Sequence, residues 1–181
     1  MPLNREHYNL VLKSLTTINK ANIKNILDAG SGRTSLNILI TIFPDANIDA
    51  IVYYNDQRKI NSIKENVKGN YNLIQADICK DNIDLEYDLI LAHLLLGESE
   101  KWGNSTKKII DSLSNIKTKY LLIFDYKEDP IIDYEYLEKY LNNKYELINK
   151  SEKKLNEPQK FNDFVGRTYS VYLYKINRKD N

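Results

Sequence analysis

Short apolar runs alternate with helix-like segments along nearly the whole chain, and that alternation leaves few folds open. The runs are "KNILDA", "NIDAIVYY", "YNLIQA", "YDLILAHL" and "KYLLIFDY". Each has the length of a strand, and their nearly continuous apolar character suits strands covered on both faces. Helical segments separate most of them. "SLNILITIF" is a helix stopped near Pro44, "DQRKINSIKENV" is a helix opened by Asp56 as N-cap, and residues 102–116 form another. A polar segment around 80–86 parts the third run from the fourth. Ahead of the first run, Tyr8, Val11, Leu12, Leu15 and Ile18 fall at helical spacing, which predicts an amphipathic helix over 5–20. After the fifth, "DYEYLEKYLNN" reads as a helix, and "KYELINKSEKK" and "RTYSVYLYKI" as two last strands joined by the loop "LNEPQKFNDFVG".

Strands that alternate with helices build a parallel sheet with right-handed crossovers. The last two strands have no helix between them and therefore predict an antiparallel pair at one edge. This is an open α/β sheet and not a barrel, so a ligand is expected beyond the carboxyl ends of the strands, near the topological switch. Asp28, the residues just after Val52, Asp77, His93 and Asp125 stand at those ends. At 181 residues the chain is expected to form one domain, with residues 1–22 a helical cap and 23–181 the α/β core.

Composition narrows the chemistry. The 26 Lys+Arg nearly cancel the 25 Asp+Glu, so no broad electrostatic footprint for nucleic acid is evident. A single cysteine, Cys79, allows neither a disulfide framework nor a Cys-based zinc site. His7 and His93 are the only histidines and lie far from any H-E-x-x-H spacing, so hydrolytic zinc chemistry is disfavoured and no metal is expected. "MPLNREHYNL" lacks the apolar core of a signal peptide, and no apolar run approaches about 20 residues. The expectation is a cytoplasmic protein with no membrane partner.

The most informative stretch is "NILDAGSGRTSLN", residues 25–37. Gly30 and Gly32 permit a tight strand-to-helix turn and close approach of a ligand to the backbone. Dinucleotides use such a loop, with a pyrophosphate on the helix N-terminus. S-adenosylmethionine uses one too, with its methionine portion and ribose beside it. The G-x-G-x-x-G fingerprint fails at Ser35, and "GRTS" lacks the lysine of a phosphate-binding loop. Asp28, two residues before Gly30, would repel a pyrophosphate but suit a sulfonium and an ammonium; Arg33 could offset that charge. Asp28 could equally tie the loop together by hydrogen bonds.

With these residues the chain resembles the class I S-adenosylmethionine-dependent methyltransferases, whose first motif is roughly D/E-x-G-x-G-x-G and stands here as "DAGSGRT". Asp28, Gly30 and Gly32 match, and Thr34 replaces the last glycine. The resemblance covers most of the chain. It implies a three-layer Rossmann-like sandwich on a mostly parallel seven-stranded sheet with an antiparallel edge strand, and S-adenosyl-L-methionine as cofactor. Asp28, Gly30, Ser31, Gly32 and Thr34 would form its loop, and Asp77 and Ile78, in "LIQADIC", would hold the adenine. The family's ribose-binding acid falls on Val52 and is missing; Asp56 is the substitute in reach, competing with its role as a helix N-cap. Asp77 could likewise cap a turn in "DICKDN".

Near the transfer site, the resemblance puts His93 at the end of the fourth strand, where histidine could serve as a general base. Asp125, Tyr126 and, from the N-terminal helix, Tyr8 are candidate acceptor contacts. Packing is the competing role for His93 and Tyr8, and a turn for Asp125. Methyl transfer from a sulfonium needs little beyond proximity, so the lack of an obvious nucleophile does not count against it. The acceptor is open: a small molecule or a protein side chain, with nucleic acid not favoured because no N-P-P-Y motif follows the fourth strand. Two other readings stand beside this one, a noncatalytic binding module of the same fold and a dinucleotide-binding oxidoreductase. Oligomeric state is not legible.

Overall fold

The computed structural model describes residues 5–97, 103–154 and 168–176. The five apolar runs become β1 (Asn25–Ala29), β2 (Asn47–Val52), β3 (Asn72–Gln75), β4 (Glu86–His93) and β5 (Lys117–Tyr126). β6 (Tyr145–Lys154) and β7 (Thr168–Ile176) complete a seven-stranded sheet in the order β3-β2-β1-β4-β5-β7-β6. β1 to β5 pair in parallel, and β7 runs antiparallel between β5 and the outermost strand, β6. The strand order reverses between β1 and β4, which makes their carboxyl ends the switch point. The loop expected at 155–166 lies outside the described residues.

Among the described residues, five helices cover the two faces: α1 (Arg5–Ser14), α2 (Arg33–Ile42), α3 (Gln57–Asn66), α4 (Thr106–Asn115) and α5 (Tyr134–Lys144). One apolar cluster joins α1, α2 and α3 to Ile26, Leu91, Phe124 and Val171; the other joins α4 and α5 to Leu27, Ile90, Ile123 and Tyr172. Strand side chains alternate between the two, which is why the runs had to be apolar throughout. Side-chain caps start α3, as the sequence predicts at Asp56, and α5. Asp56 accepts from Lys59 N–H at 3.0 Å, and Asp133 from Tyr136 N–H at 2.8 Å.

One expectation changes. The helix predicted over 5–20 ends at Ser14 and continues as 3-10 turns at Leu15–Thr17 and Lys20–Asn22. Thr16 Oγ1 donates back to Lys13 O at 2.7 Å, and Asn19 Oδ1 caps the second turn through Ala21 N–H at 3.1 Å, so local side-chain bonds compete with the helix. Its buried face also includes His7 and Leu10, while Tyr8 and Leu12 are only half-buried. The crossover from β3 to β4 contains turns and no helix. Among the described residues, no helix is long and apolar enough to cross a membrane.

The amino ends of β1, β4 and β5 are stitched by one carboxylate. Asp88 Oδ2 accepts from the N–H groups of Lys24 and Asn25 at 2.8 and 2.9 Å, and Oδ1 pairs with Lys119 Nζ. Burial raises its pKa, but Lys119 and the two N–H groups outweigh that and hold it below the usual range. Asp88→Ala would strand two N–H groups, and a loss of about 2–3 kcal/mol is expected in urea unfolding. Asp88→Asn, which keeps an acceptor oxygen, is expected to lose about half as much.

Candidate functional site

A cleft opens at the switch point. Its walls come from the ends of three strands and the start of α4: Gly30 after β1, Val52 and Tyr53 at the end of β2, Asp77 and Ile78 after β3, and Ile109. Gly30 adopts φ +72°, the left-handed region that glycine enters without strain. A Cβ there would stand 2.5 Å from Leu95 Cδ1, so the turn leaves no room for a side chain between loop and cleft wall.

Beneath this turn sits Asp28, fully buried. Its Oδ2 accepts from the hydroxyls of Ser31 and Ser35, the latter at 2.8 Å. Ser35 Oγ in turn accepts Gly32 N–H at 3.0 Å, and Ser31 N–H donates to Ile51 O at 2.6 Å. The loop is thus tied to β1 from below and to β2 at its side. Burial pushes the Asp28 pKa up to about 6 against the pull of the two serines and Lys59. Asp28 therefore does not line the cleft; the loop-tying role is the one it fills. Ser31 is buried with it, while Gly32 and Thr34 lie at the start of α2 outside the cleft lining.

Four of the expected cofactor contacts do meet in the cleft: Gly30, Asp56, Asp77 and Ile78. Both carboxylates already carry structural bonds. Asp56 caps α3 and stands 3.9 Å from Lys59 Nζ. Asp77 Oδ1 accepts Cys79 N–H at 2.9 Å, the turn-capping role weighed for it, and Oδ2 lies 2.8 Å from Lys80 Nζ. Burial raises the Asp77 pKa, yet Lys80 and the Cys79 N–H hold it below the usual range, so it stays ionised. Val52 is apolar and lines the cleft where the ribose acid was sought, and Tyr53 follows it. Tyr53 stacks on the more exposed Tyr54 at 4.6 Å.

The cleft also takes Lys59, Leu95, Asn104 and Ile109, which the sequence did not single out. Tyr53 could have been found as the next residue after the β2 carboxyl end. Leu95, Asn104 and Ile109 carry no local signal, because they reach the cleft only through the β4 crossover.

The residues expected near an acceptor are elsewhere, and their roles change. His93 is buried and does not line the cleft; its Nε2 lies 3.0 Å from Nδ1 of His7 on α1. Burial drives the His93 pKa down to about 3, and His7 is lowered by burial and by His93. A base so weak and so enclosed does not fit proton exchange with an acceptor in the cleft. Asp125 is buried beneath the turn after β4, where it accepts from the N–H groups of Leu96, Gly97 and Tyr126 at 2.9, 3.2 and 2.9 Å. It is a loop anchor and not an exposed substrate contact. Tyr126 is buried with its hydroxyl 3.1 Å from that of Tyr169, and Tyr8 is half-buried against the α1-side core.

Comparison with known proteins adds to this geometry. No protein-family model matches the sequence, and no curated protein matches it. Solved structures do match in fold. The N-methyltransferase NodS from Bradyrhizobium japonicum, solved in complex with S-adenosyl-L-homocysteine, is 13% identical with a TM-score of 0.68 over 98% of this chain and 89% of its own. A putative RNA methyltransferase from Pyrococcus horikoshii is 14% identical, TM-score 0.67, over 94% and 81%. TehB from Haemophilus influenzae is 17% identical, TM-score 0.63, over 93% and 62%. The chain has the Rossmann-like fold of the class I methyltransferases, with a mostly parallel seven-stranded sheet and its antiparallel pairing at one edge.

Proposed function

We propose that the cleft binds S-adenosyl-L-methionine and that the protein transfers its methyl group to an acceptor. One observation carries this reading: at the switch point of this fold, a left-handed glycine with no space for a Cβ faces Asp77 and Ile78 across the cleft. The bare Gly30 backbone admits a ligand closely. Ile51 and Ile78 offer apolar surface to a flat ring, and the ionised Asp77 accepts hydrogen bonds. Tyr53 and Asp56 are the polar groups nearest the missing ribose acid. Bound there, the cofactor would supply an activated methyl group; the chain supplies orientation and exclusion of water.

Calorimetric titration with S-adenosylhomocysteine, run in parallel with NAD, tests the reading. Micromolar affinity is expected for the first and none for the second, with at least a tenfold loss for Asp77→Ala. Absence of binding at millimolar ligand would reject it. Val52, and an Asp56 already occupied as cap and ion-pair partner, favour a second reading, a noncatalytic binding module. Binding without transfer to any acceptor would select that one.

A further inference from the structure

At the β2 end of the cleft, where a ribose acid is missing, the groups nearest the gap are already committed. Val52 is apolar, 1% exposed and part of the core cluster that holds Ile60 and Ile63 of α3. The Tyr53 hydroxyl pairs with that of Tyr54, on which its ring stacks. Asp56 Oδ1 accepts the Lys59 N–H as the cap of α3. A further polar group reaches the same end. Lys59 stands in the first turn of α3, between exposed Arg58 and buried Ile60, and its half-buried side chain lines the cleft. Helical side chains lean toward the amino end of their helix, which directs the Lys59 stem back toward the end of β2. Its charge also acts on Asp28 beneath the Gly30 turn, lowering that carboxyl against the effect of burial. The ammonium therefore stands between the start of α3 and the glycine turn, on the side of the cleft where the acid was sought.

We propose that Lys59 recognises the ribose and reverses the polarity of that contact: its ammonium donates to the ribose oxygens, where a carboxylate would accept from the ribose hydroxyls. The inference rests on the cofactor reading of the cleft. A carboxylate offers only acceptors, so it needs a hydroxyl that still carries its proton. An ammonium offers three N–H donors and needs only an oxygen lone pair. Asp56 Oδ2, 3.9 Å from Lys59 Nζ, is beyond hydrogen-bond length; it offsets the charge without acting as the acceptor. That offset matters, because a bare cation here would repel the sulfonium of S-adenosyl-L-methionine. The ribose is the neutral part of that ligand, and a charged donor makes stronger hydrogen bonds to it than a neutral one. One consequence separates this chain from a cleft with an acid at the same place. A ligand whose ribose oxygens are capped is still recognised, whereas a ligand without those oxygens is not.

Full-length wild type, Lys59→Met and Lys59→Glu are titrated by calorimetry with S-adenosylhomocysteine, its 2′,3′-di-O-methyl analogue and its 2′,3′-dideoxy analogue. Lys59→Met keeps the apolar stem and removes the donor. Lys59→Glu puts an acceptor in its place, in a first helical turn that favours Glu. Wild type is expected to bind the dideoxy analogue at least about tenfold more weakly than S-adenosylhomocysteine. Lys59→Met should bind the two alike, near the weaker value. Lys59→Glu should prefer S-adenosylhomocysteine over the di-O-methyl analogue at least about tenfold more than wild type does. Comparing that ratio between the two forms cancels the steric cost of the methyl groups. Thermal melts read the fold, and Lys59→Met decides the matter if Lys59→Glu does not fold. Lys59→Met that binds S-adenosylhomocysteine as tightly as wild type, or a ratio that Lys59→Glu leaves unchanged, overturns the inference and leaves the cofactor reading standing. If wild type does not bind S-adenosylhomocysteine, the cofactor reading itself has failed.

Discussion

Gly30→Ala is expected to lower the affinity for S-adenosylhomocysteine by more than tenfold, while Gly32→Ala leaves it unchanged. The two glycines are two residues apart in one motif, yet their surroundings differ. At Gly30 an alanine must hold φ +72°, which costs about 1–2 kcal/mol for an L-residue. Its Cβ would also press into Leu95 Cδ1 at 2.5 Å. Leu95 can yield only by turning its end, and that end is part of the cleft wall, so the strain is relieved at the expense of the ligand's space. Gly32 has φ −139°, ordinary extended backbone, and a Cβ there meets nothing within 4 Å. Calorimetry on both variants reads the affinity, and thermal melts read the fold: a drop of a few degrees for Gly30→Ala and none for Gly32→Ala. Equal effects at the two positions would mean that the ligand does not approach at Gly30.

Asp125→Asn is expected to make the protein markedly acid-sensitive, although the wild type is nearly indifferent to pH between about 4.5 and 7. Four buried groups set this balance. His7 and His93 have folded pKa values pushed far below the usual 6.5, so the unfolded chain binds more protons there and their contribution is lost as pH falls through 6.5. Asp28 and Asp125 run the other way. Burial lifts them to about 6 and about 7, so the folded state binds more protons and their penalty fades as pH falls through those values. In Asp125, three N–H bonds oppose the lift and nearby Asp129 adds to it. With two protons released and two taken up on folding near pH 5, the slopes nearly cancel. Removing the Asp125 carboxyl leaves about one proton unbalanced, worth about 1.4 kcal/mol per pH unit. Stability should then fall by about 3 kcal/mol from pH 6.5 to 4.5. His7→Phe removes one proton from the other side, and its stability should rise on acidification over the same window. Urea unfolding at a series of pH values reads both slopes, and parallel profiles for wild type and Asp125→Asn would refute the assignment.

The frame of the molecule was legible in the chain because it follows from short-range rules. Short apolar runs such as "LILA" set between turn-like segments suit strands covered on both faces, and Asp56 placed just before a helical pattern can cap it within three residues. The motif "DAGSG" located the loop, and Gly30, Asp77 and Ile78 line the cleft. Even the antiparallel pairing at the edge came from the missing helix between the last strands, although which of the two would lie inside did not.

What a side chain does at a strand end was decided by tertiary structure alone. Asp28 and Asp77 read alike in sequence, an acid closing an apolar run; one is turned beneath its loop onto two serines and the other stands in the cleft wall. His7 and His93, 86 positions apart, meet because α1 crosses the sheet, and Asp125 finds its three N–H partners only once the turn after β4 has folded over it. Periodicity and caps act over one or two turns of chain and therefore leave a local imprint in the residues. Register, crossover path and the side of a loop on which a carboxylate is buried are settled by contacts between distant segments, and a single sequence carries no local mark of those.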